Sequence, residues 1–251
     1  MNNYNIQSLK YYFGEAQLKR KTISWIESYS PRFSDEKLSF LFSKCFEESP
    51  SLFEINGNSK EALESLMIAY YHNEAFVKAF FISELKKQKA VSFFELPIKN
   101  SRVDICSING HSIAYEIKTM YDSTKRLVKQ LNDYLTAFEF VYVICPDERV
   151  EEISQLLPDC VGIYTYDDLA FAPKFMVARE AKISSLLDRH AQIEVMRKKE
   201  KPKNISLLSD DKINALFKTI LKNRFKNRWD WFCTNYKQFN KLDYQYHFNN
   251  Y

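Results

Sequence analysis

Glycine is scarce in this chain of 251 residues, which has four: Gly14, Gly57, Gly110 and Gly162. A phosphate-binding Walker loop or a dinucleotide fingerprint needs two or three clustered glycines, because the backbone must approach the phosphates closely. The chain contains no such cluster. We therefore expect no nucleotide cofactor and exclude enzymes that depend on those loops.

Long apolar runs and closely spaced cysteines are missing as well. No apolar run approaches the roughly 18 residues of a membrane span, and residues 1–12 lack the basic-then-apolar pattern of a signal peptide. We expect a cytoplasmic protein that does not contact a membrane. Without a C-x-x-C motif or a nearby histidine pair, the five cysteines predict buried, reduced thiols rather than a zinc site or disulfides, most clearly at Cys106 and Cys145.

Charge is distributed unevenly along the chain, although the formal net charge is only +4. Between Arg179 and Arg228 there are fourteen Lys and Arg residues against six Asp and Glu residues. This excess fits either a solvated helical face or a surface that contacts phosphates. The aromatic tail that follows, YKQFNKLDYQYHFNNY, fits packing against its own domain better than stacking on bases.

The order of hydrophobic patterns predicts three regions. Residues 1–57 are a helical N-terminal region, with Ser34 as a helix cap. Residues 58–168 form a core that starts with a capping-box-like Asn58 and continues as one long helix or as two helices separated near Asn73. Residues 169–251 form a basic and aromatic helical C-terminal region.

Within the core, β-rich runs follow the helical segment. The runs VSFFELPI, RVDICSI and SIAYEIK predict three strands, and residues 123–138 return to helical spacing. The apolar run FVYVICP predicts a strand buried on both faces, followed by a helix over 148–157 and a strand over 161–166. The predicted order is α-β-β-β-α-β-α-β, an α/β fold.

Two carboxylates and a lysine can share one face of the predicted hairpin around Asn109 and Gly110. Side chains two residues apart lie on the same side of a strand, so Glu116 and Lys118 project together. Asp104 joins them only if the turn has an odd number of residues or the strands contain a bulge, because a one-residue slip moves a side chain to the other face. We therefore predict an odd-length turn or a bulge here.

Neighbouring carboxylates repel each other, and a divalent cation removes this cost. Oxygen ligands select hard ions such as Mg²⁺ or Mn²⁺. Such an ion acidifies a bound water and polarises a phosphodiester, while a nearby lysine neutralises charge in the transition state. These residues predict phosphodiester hydrolysis. An ordinary surface strand with a Glu-Lys pair is the alternative interpretation of the same spacing.

The motifs V-D-I-C, A-Y-E-I-K and Q-L-N-D-Y, in residues 70–166, resemble the core of PD-(D/E)XK, or restriction-endonuclease-like, nucleases. The likeness is to the branch with RecB and lambda-exonuclease domains, and to a poorly characterised bacterial subfamily. It implies an α-β-β-β-α-β core with a mixed central sheet flanked by helices, with helical additions at both termini. The motif's proline is replaced by Val103. The implied site residues are the metal ligands Asp104, Glu116 and Ile117 (through its carbonyl), the water-positioning Lys118, and Gln130 and Tyr134 at the edge of the site.

The superfamily usually adds a glutamate from the first helix. Glu74 is preferred here over Glu84, because apolar neighbours surround it, and Glu95 in the first strand is a further candidate. Arg102, Lys125 and Arg126 are candidate phosphate contacts, although each also fits an ordinary surface charge.

The leading hypothesis is a Mg²⁺- or Mn²⁺-dependent nuclease that acts on DNA. A non-catalytic module of the same fold that binds nucleic acid or protein is the alternative, for example in a phage or plasmid defence system or in repair. The helical terminal regions are candidate surfaces for a homodimer or a protein partner. Retention of Asp104, Glu116 and Lys118 favours catalysis, since a pure binder has no need of carboxylates that repel phosphate.

Overall fold

The computed structural model describes residues 3–46, 59–169 and 171–250. The chain divides into two compact units, residues 1–79 with 237–246, and residues 80–236 with 247–251. The predicted capping box at Asn58 and the region boundary at residues 57 and 58 lie outside the described residues.

The first unit is helical. Its helices are α1 (Asn3–Phe13), α2 (Glu15–Glu27), α3 (Asp35–Cys45) and α4 (Ser59–Tyr70), followed by the start of α5 (Glu74–Lys87). The predicted cap is present, because the Ser34 side chain accepts a hydrogen bond from the Lys37 amide. The break that separates α4 from α5 covers residues 71–73, so of the two alternatives that the sequence left open, two helices separated near Asn73 is the one present.

The second unit contains a six-stranded mixed sheet. The strands are β1 (Val91–Ile98), β2 (Ser101–Asn109), β3 (His111–Ile117), β4 (Phe140–Pro146), β5 (Gly162–Tyr166) and β6 (Met176–Arg179), and they lie in sequence order across the sheet. The pairs β1–β2, β2–β3 and β5–β6 are antiparallel, whereas β3–β4 and β4–β5 are parallel. The predicted α/β class and the predicted succession of helices and strands along the chain are confirmed, and β6 is an additional edge strand.

Helices cover this sheet. They are the second half of α5, α6 (Leu127–Leu135), α7 (Val150–Ser154), α8 (Arg189–Val195) and α9 (Asp210–Asn235). Helix α6 is shorter than the predicted 123–138 segment, and the predicted 148–157 helix consists of a 3-10 turn followed by α7. The last helix, α10 (Tyr244–Asn250), includes the division between the units at residues 246 and 247.

The long helix α9 completes the core of the second unit. Its buried residues recur every fourth position, from Ile213 and Phe217 through Leu221 to Phe225, which is the spacing of one helical face. The Phe225 ring stacks on Phe93 of β1 with a centroid distance of 4.1 Å. From the aromatic tail, the Phe248 ring packs edge-on against Phe94 of β1 with a centroid distance of 5.1 Å, so this end of the tail packs within its own unit, as the sequence favours.

The five cysteines are reduced thiols, but only Cys106 and Cys145 are buried. Burial raises the pKa of the Cys145 thiol to about 12. Among the described residues, no helix is both long enough and apolar enough to span a bilayer.

Candidate active site

The β2–β3 hairpin has the register that is needed to bring Asp104 to the face of Glu116. Ile105 lies opposite Tyr115, and Asn109 lies opposite His111, so the turn contains three residues with Gly110 at a φ of 74°. Glycine suits this position because a side chain disfavours positive φ. The predicted odd-length turn is confirmed, and continuation of this register places Asp104 opposite Glu116 on the same face.

Asp104 lies where the backbone pairing of β2 and β3 stops. The last residue pair is Ile105–Tyr115, and beyond it the Asp104 carboxylate accepts a hydrogen bond of 2.7 Å from the Ile117 amide. A side-chain oxygen thus replaces a main-chain acceptor at the end of the ladder. The half-buried carboxylate is thereby fixed beside the C-terminal end of β3.

Glu116 is buried, with 1% of its surface exposed. One of its carboxylate oxygens, Oε1, accepts a hydrogen bond of 2.6 Å from the Lys118 ammonium. The other, Oε2, lies 2.7 Å from the Tyr134 hydroxyl. Burial of a carboxylate requires such partners, since its desolvation is otherwise costly.

Helix α6 supplies two of the predicted site residues. Leu127, Leu131 and Leu135 are buried and anchor the helix, which leaves Gln130 and Tyr134, four residues apart, on one face toward β3. The Gln130 Oε1 atom accepts a hydrogen bond of 3.4 Å from Lys118 Nζ. Glu116, Lys118, Gln130 and Tyr134 therefore form one connected polar network.

The Tyr134 hydroxyl is shared between two acceptors. The Glu116 carboxylate and the Arg102 carbonyl oxygen each lie 2.7 Å from it, and a phenol has only one proton to donate. Burial raises the pKa of Tyr134, and the neighbouring Glu116 carboxylate raises it further. The phenol therefore stays protonated and links β2, β3 and α6.

Glu95 of β1 lies beside Asp104. The register of β1 with β2 is interrupted at these two residues and continues unchanged on either side, from Phe94–Ile105 to Leu96–Val103. A carboxylate oxygen of Glu95 lies within 4.8 Å of one of Asp104. Glu95 has a φ of 60°, which costs about 1–2 kcal/mol for a residue with a side chain. Such strain is typical of functional positions.

Arg102 forms an ion pair with Glu95. Its Nε atom lies 2.5 Å from a Glu95 oxygen, and its side chain is largely exposed. Arg102 therefore partly neutralises the charge of the two neighbouring carboxylates. Its predicted role as a phosphate contact would require it to exchange Glu95 for a phosphate.

The other predicted residues are placed as follows. Glu74 belongs to the first unit, where it is exposed at the start of α5 and forms an ion pair with Lys78. Glu84 forms an ion pair of 2.7 Å with Lys87. Lys125 and Arg126 are exposed at the start of α6, and Arg126 is its N-cap residue.

Arg149 has a position that the sequence does not reveal. Its guanidinium is buried and donates hydrogen bonds to the carbonyl oxygens of Thr119 and Asp122, and it also bonds to Glu152. These contacts hold the loop that directly follows Lys118. An arginine in a polar helical segment indicates an ordinary surface charge, so no sequence signal distinguishes it.

The donor set suits a hard divalent cation. Asp104 and Glu95 present carboxylate oxygens at one place, and Glu116 lies across from Asp104 on the same face. Oxygen ligands of this kind favour Mg²⁺ or Mn²⁺ over zinc. Both oxygens of Glu116 are engaged by Lys118 and Tyr134, so Glu116 would have to exchange one of these bonds in order to bind an ion.

The second unit is thus a mixed α/β fold with a polar network at the end of its central strands. The sequence profile of the bacteriophage P4 protein cII family matches residues 67–245, well over half of the chain. The chain belongs to the bacteriophage P4 protein cII family.

A curated relative is protein cII of Enterobacteria phage P4, which is 28% identical over 99 residues. The aligned segment covers 39% of this chain and 38% of the length of that protein. No solved structure matches the chain.

Proposed function

We propose that this protein is a metal-dependent nuclease that hydrolyses phosphodiester bonds of DNA with a metal-activated water, built on a restriction-endonuclease-like core. The observation that supports it is the hairpin register, which places Asp104 and Glu116 opposite each other with Lys118 two residues on. The element order from α5 to β4 is consistent with that core.

In this proposal the ion is held by Asp104, Glu116 and the Ile117 carbonyl, with Glu95 as the additional carboxylate. When bound, Mg²⁺ or Mn²⁺ would polarise the phosphodiester and acidify a bound water. Glu95 is included as an additional ligand because its carboxylate lies beside that of Asp104 on the neighbouring strand. Glu74 remains the ligand that the family resemblance predicts.

The chain's own residues supply the remaining chemistry. Lys118 carries a positive charge beside the carboxylates, where it would orient the attacking water or stabilise negative charge on the phosphate. Gln130 and Glu116 hold its ammonium in place, and Tyr134 holds Glu116. The buried surroundings strengthen these interactions, because they exclude competing water.

Cleavage assays with plasmid DNA, single-stranded DNA and RNA in Mg²⁺ test this proposal. We expect cleavage of DNA by the wild-type protein and no cleavage by Asp104→Asn. The matched control is Asp159→Asn, because Asp159 is an exposed aspartate of the same unit, and it should cleave like the wild type. Equal rates for wild type and Asp104→Asn would refute the site.

The second candidate is a non-catalytic binding module of the same fold. It is favoured by the internal neutralisation of the network, in which Lys118 and Tyr134 occupy both Glu116 oxygens and Arg102 binds Glu95. Isothermal titration with Mn²⁺ separates the two. An absence of Mn²⁺ binding, with DNA affinity unchanged in Asp104→Ala, would favour the module.

A further inference from the structure

A strongly basic segment connects α8 with α9. We call residues 197–203, with the sequence RKKEKPK, the basic loop; it contains five Lys or Arg residues and one acid, Glu200. Arg197, Lys198, Lys199 and Lys203 are exposed. Within the described part of the chain, no ion pair joins these four to a carboxylate.

The single acid of the basic loop is turned toward α9. Glu200 accepts a hydrogen bond of 3.0 Å from Nε of Arg224 and another from the same guanidinium. The Arg224 side chain is 8% exposed and that of Glu200 is 17% exposed. Burial alone would raise the pKa of Glu200, but the hydrogen bonds from Arg224 and the Arg197 amide lower it overall.

This ion pair changes the charge that the basic loop presents. The negative charge of Glu200 is balanced mainly by an arginine of the helix beneath, so it offsets the charge of the exposed cations only in part. Arg224 also donates a hydrogen bond of 3.0 Å to the Val195 carbonyl oxygen. It therefore fixes the N-terminal end of the basic loop to α9.

The segment that follows the basic loop is fixed in a similar way. Arg189, the first residue of α8, donates hydrogen bonds to the carbonyl oxygens of Ile205 and Ser206 and forms an ion pair of 3.1 Å with Asp210. Fixing both ends before binding reduces the conformational entropy lost when a partner binds. The exposed cations are thus presented by an ordered surface.

We propose that the basic loop binds the phosphate backbone of DNA. The choice of DNA among polyanions rests on the proposed function, whereas binding itself does not require cleavage. Lysine ammonium groups act as point charges that contact phosphates without reading sequence. The basic loop contains no aromatic side chain to insert into a membrane or to stack on bases, which favours a contact with the sugar-phosphate backbone.

Salt-dependent binding of a duplex oligonucleotide tests the proposal, measured in EDTA so that cleavage does not contribute. The test variant is Lys198→Gln/Lys199→Gln. Log affinity falls as log salt concentration rises, and each lost phosphate contact makes this fall less steep by about 0.9. Two lost contacts should therefore reduce the magnitude of the slope by roughly 1.8. We expect this change together with a fall in affinity of roughly tenfold or more at 0.1 M salt.

The matched control is Lys174→Gln/Lys182→Gln, which removes the same charge from exposed positions of the same unit. It should keep the wild-type slope. Equal slopes for the two double variants would overturn the proposal. The proposal would also be overturned if the test variant lost binding to phosphatidylserine vesicles but kept its affinity for DNA, because the partner would then be a membrane surface.

Arg224→Lys tests the positioning of the basic loop without changing net charge. Lysine lacks the forked donors that bond to both Glu200 and the Val195 carbonyl oxygen, so we expect weaker DNA binding with an unchanged salt slope. Wild-type affinity in a folded Arg224→Lys protein would overturn this positioning role. Wild-type DNA affinity and salt slope in the loop variant, together with Mg²⁺-dependent cleavage by the wild-type protein, would support the nuclease and overturn only the binding surface.

Discussion

The Asp104 carboxylate accepts a hydrogen bond of 2.7 Å from the backbone amide of Ile117, in place of a main-chain acceptor of β2. This bond ties the first proposed ligand to the residue whose carbonyl is the expected third ligand. It also fixes Asp104 relative to Lys118, the next residue. The geometry of the candidate site is therefore set by the pairing of β2 with β3 and by the Asp104 side chain, which lies where that pairing ends.

Glu95 should contribute to metal binding. Its carboxylate lies beside that of Asp104. We therefore expect Glu95→Gln to weaken Mn²⁺ binding by about tenfold or more. Isothermal titration measures this change. Glu84→Gln is the control, since Glu84 pairs with Lys87. Unchanged Mn²⁺ affinity in Glu95→Gln would show that Glu95 is not a ligand, and Glu74 would then be the candidate for the additional ligand.

Tyr134→Phe should destabilise the fold and alter its dependence on alkaline pH. Loss of the hydroxyl removes hydrogen bonds to buried acceptors and should cost about 1–2 kcal/mol at pH 7. The pKa of Tyr134 is raised in the folded state, so the wild type loses stability as pH rises above the ordinary tyrosine value of about 10.

The Tyr134→Phe variant has no phenol at this position, so it cannot lose stability at alkaline pH through ionisation of this side chain. The difference in unfolding free energy between the two proteins should therefore shrink by about 1.4 kcal/mol between pH 7 and pH 11. Urea unfolding at both pH values measures it. A difference that stays constant would mean that Tyr134 ionises as readily in the folded chain as in the unfolded one.

Arg149→Leu should destabilise the protein and loosen the loop after Lys118. The carbonyl oxygens of Thr119 and Asp122 would lose their donor, at a cost of about 2–3 kcal/mol. Hydrogen exchange should accelerate in residues 119–123. Arg126→Leu serves as the control because Arg126 is exposed, and equal exchange in the two variants would refute the role of Arg149.

Glu139 should support stability at neutral pH. Burial opposes its ionisation, but hydrogen bonds from Lys218, the Ser112 amide and Asn214 hold its pKa below the ordinary value of 4.5. A lowered folded-state pKa gives stability that is present above the unfolded value and is lost as pH falls through the folded one.

Glu139→Gln should therefore be less stable than the wild type by about 1–3 kcal/mol at pH 7, and the difference should shrink as pH falls below about 4.5. Thermal unfolding between pH 3 and pH 7 measures it. Glu148→Gln is the control, because Glu148 is exposed. A constant difference across this range would contradict the lowered pKa.

Local patterns predict most of the fold. The run VSFFELPI is β1 from Val91 to Ile98, and the helix break near Asn73 is present. The turn around Gly110 could be predicted because alternation fixes which side chains share a face, and only an odd-length turn or a bulge brings Asp104 to the face of Glu116. These features depend on residues close together in sequence.

Features that depend on distant residues could not be predicted. Strand β6 is exposed along most of its length and lacks an alternating apolar pattern, so only its pairing with β5 defines it. The positive φ of Glu95 and the buried position of Arg149 depend on neighbours far along the chain. The hydrogen bond from the Tyr134 hydroxyl to Glu116 is likewise visible only when α6 lies against β3.

The most direct test of the central claim is the rate of DNA cleavage by Lys118→Ala in Mg²⁺, compared with the wild type and with Lys174→Ala. Lys174 is an exposed lysine of the same unit. Lys118 contacts both Glu116 and Gln130, and its loss should lower the rate by roughly 100-fold or more, as for other groups that stabilise transition-state charge. Lys174→Ala should cleave at the wild-type rate. Equal rates for Lys118→Ala and the wild type would contradict the account.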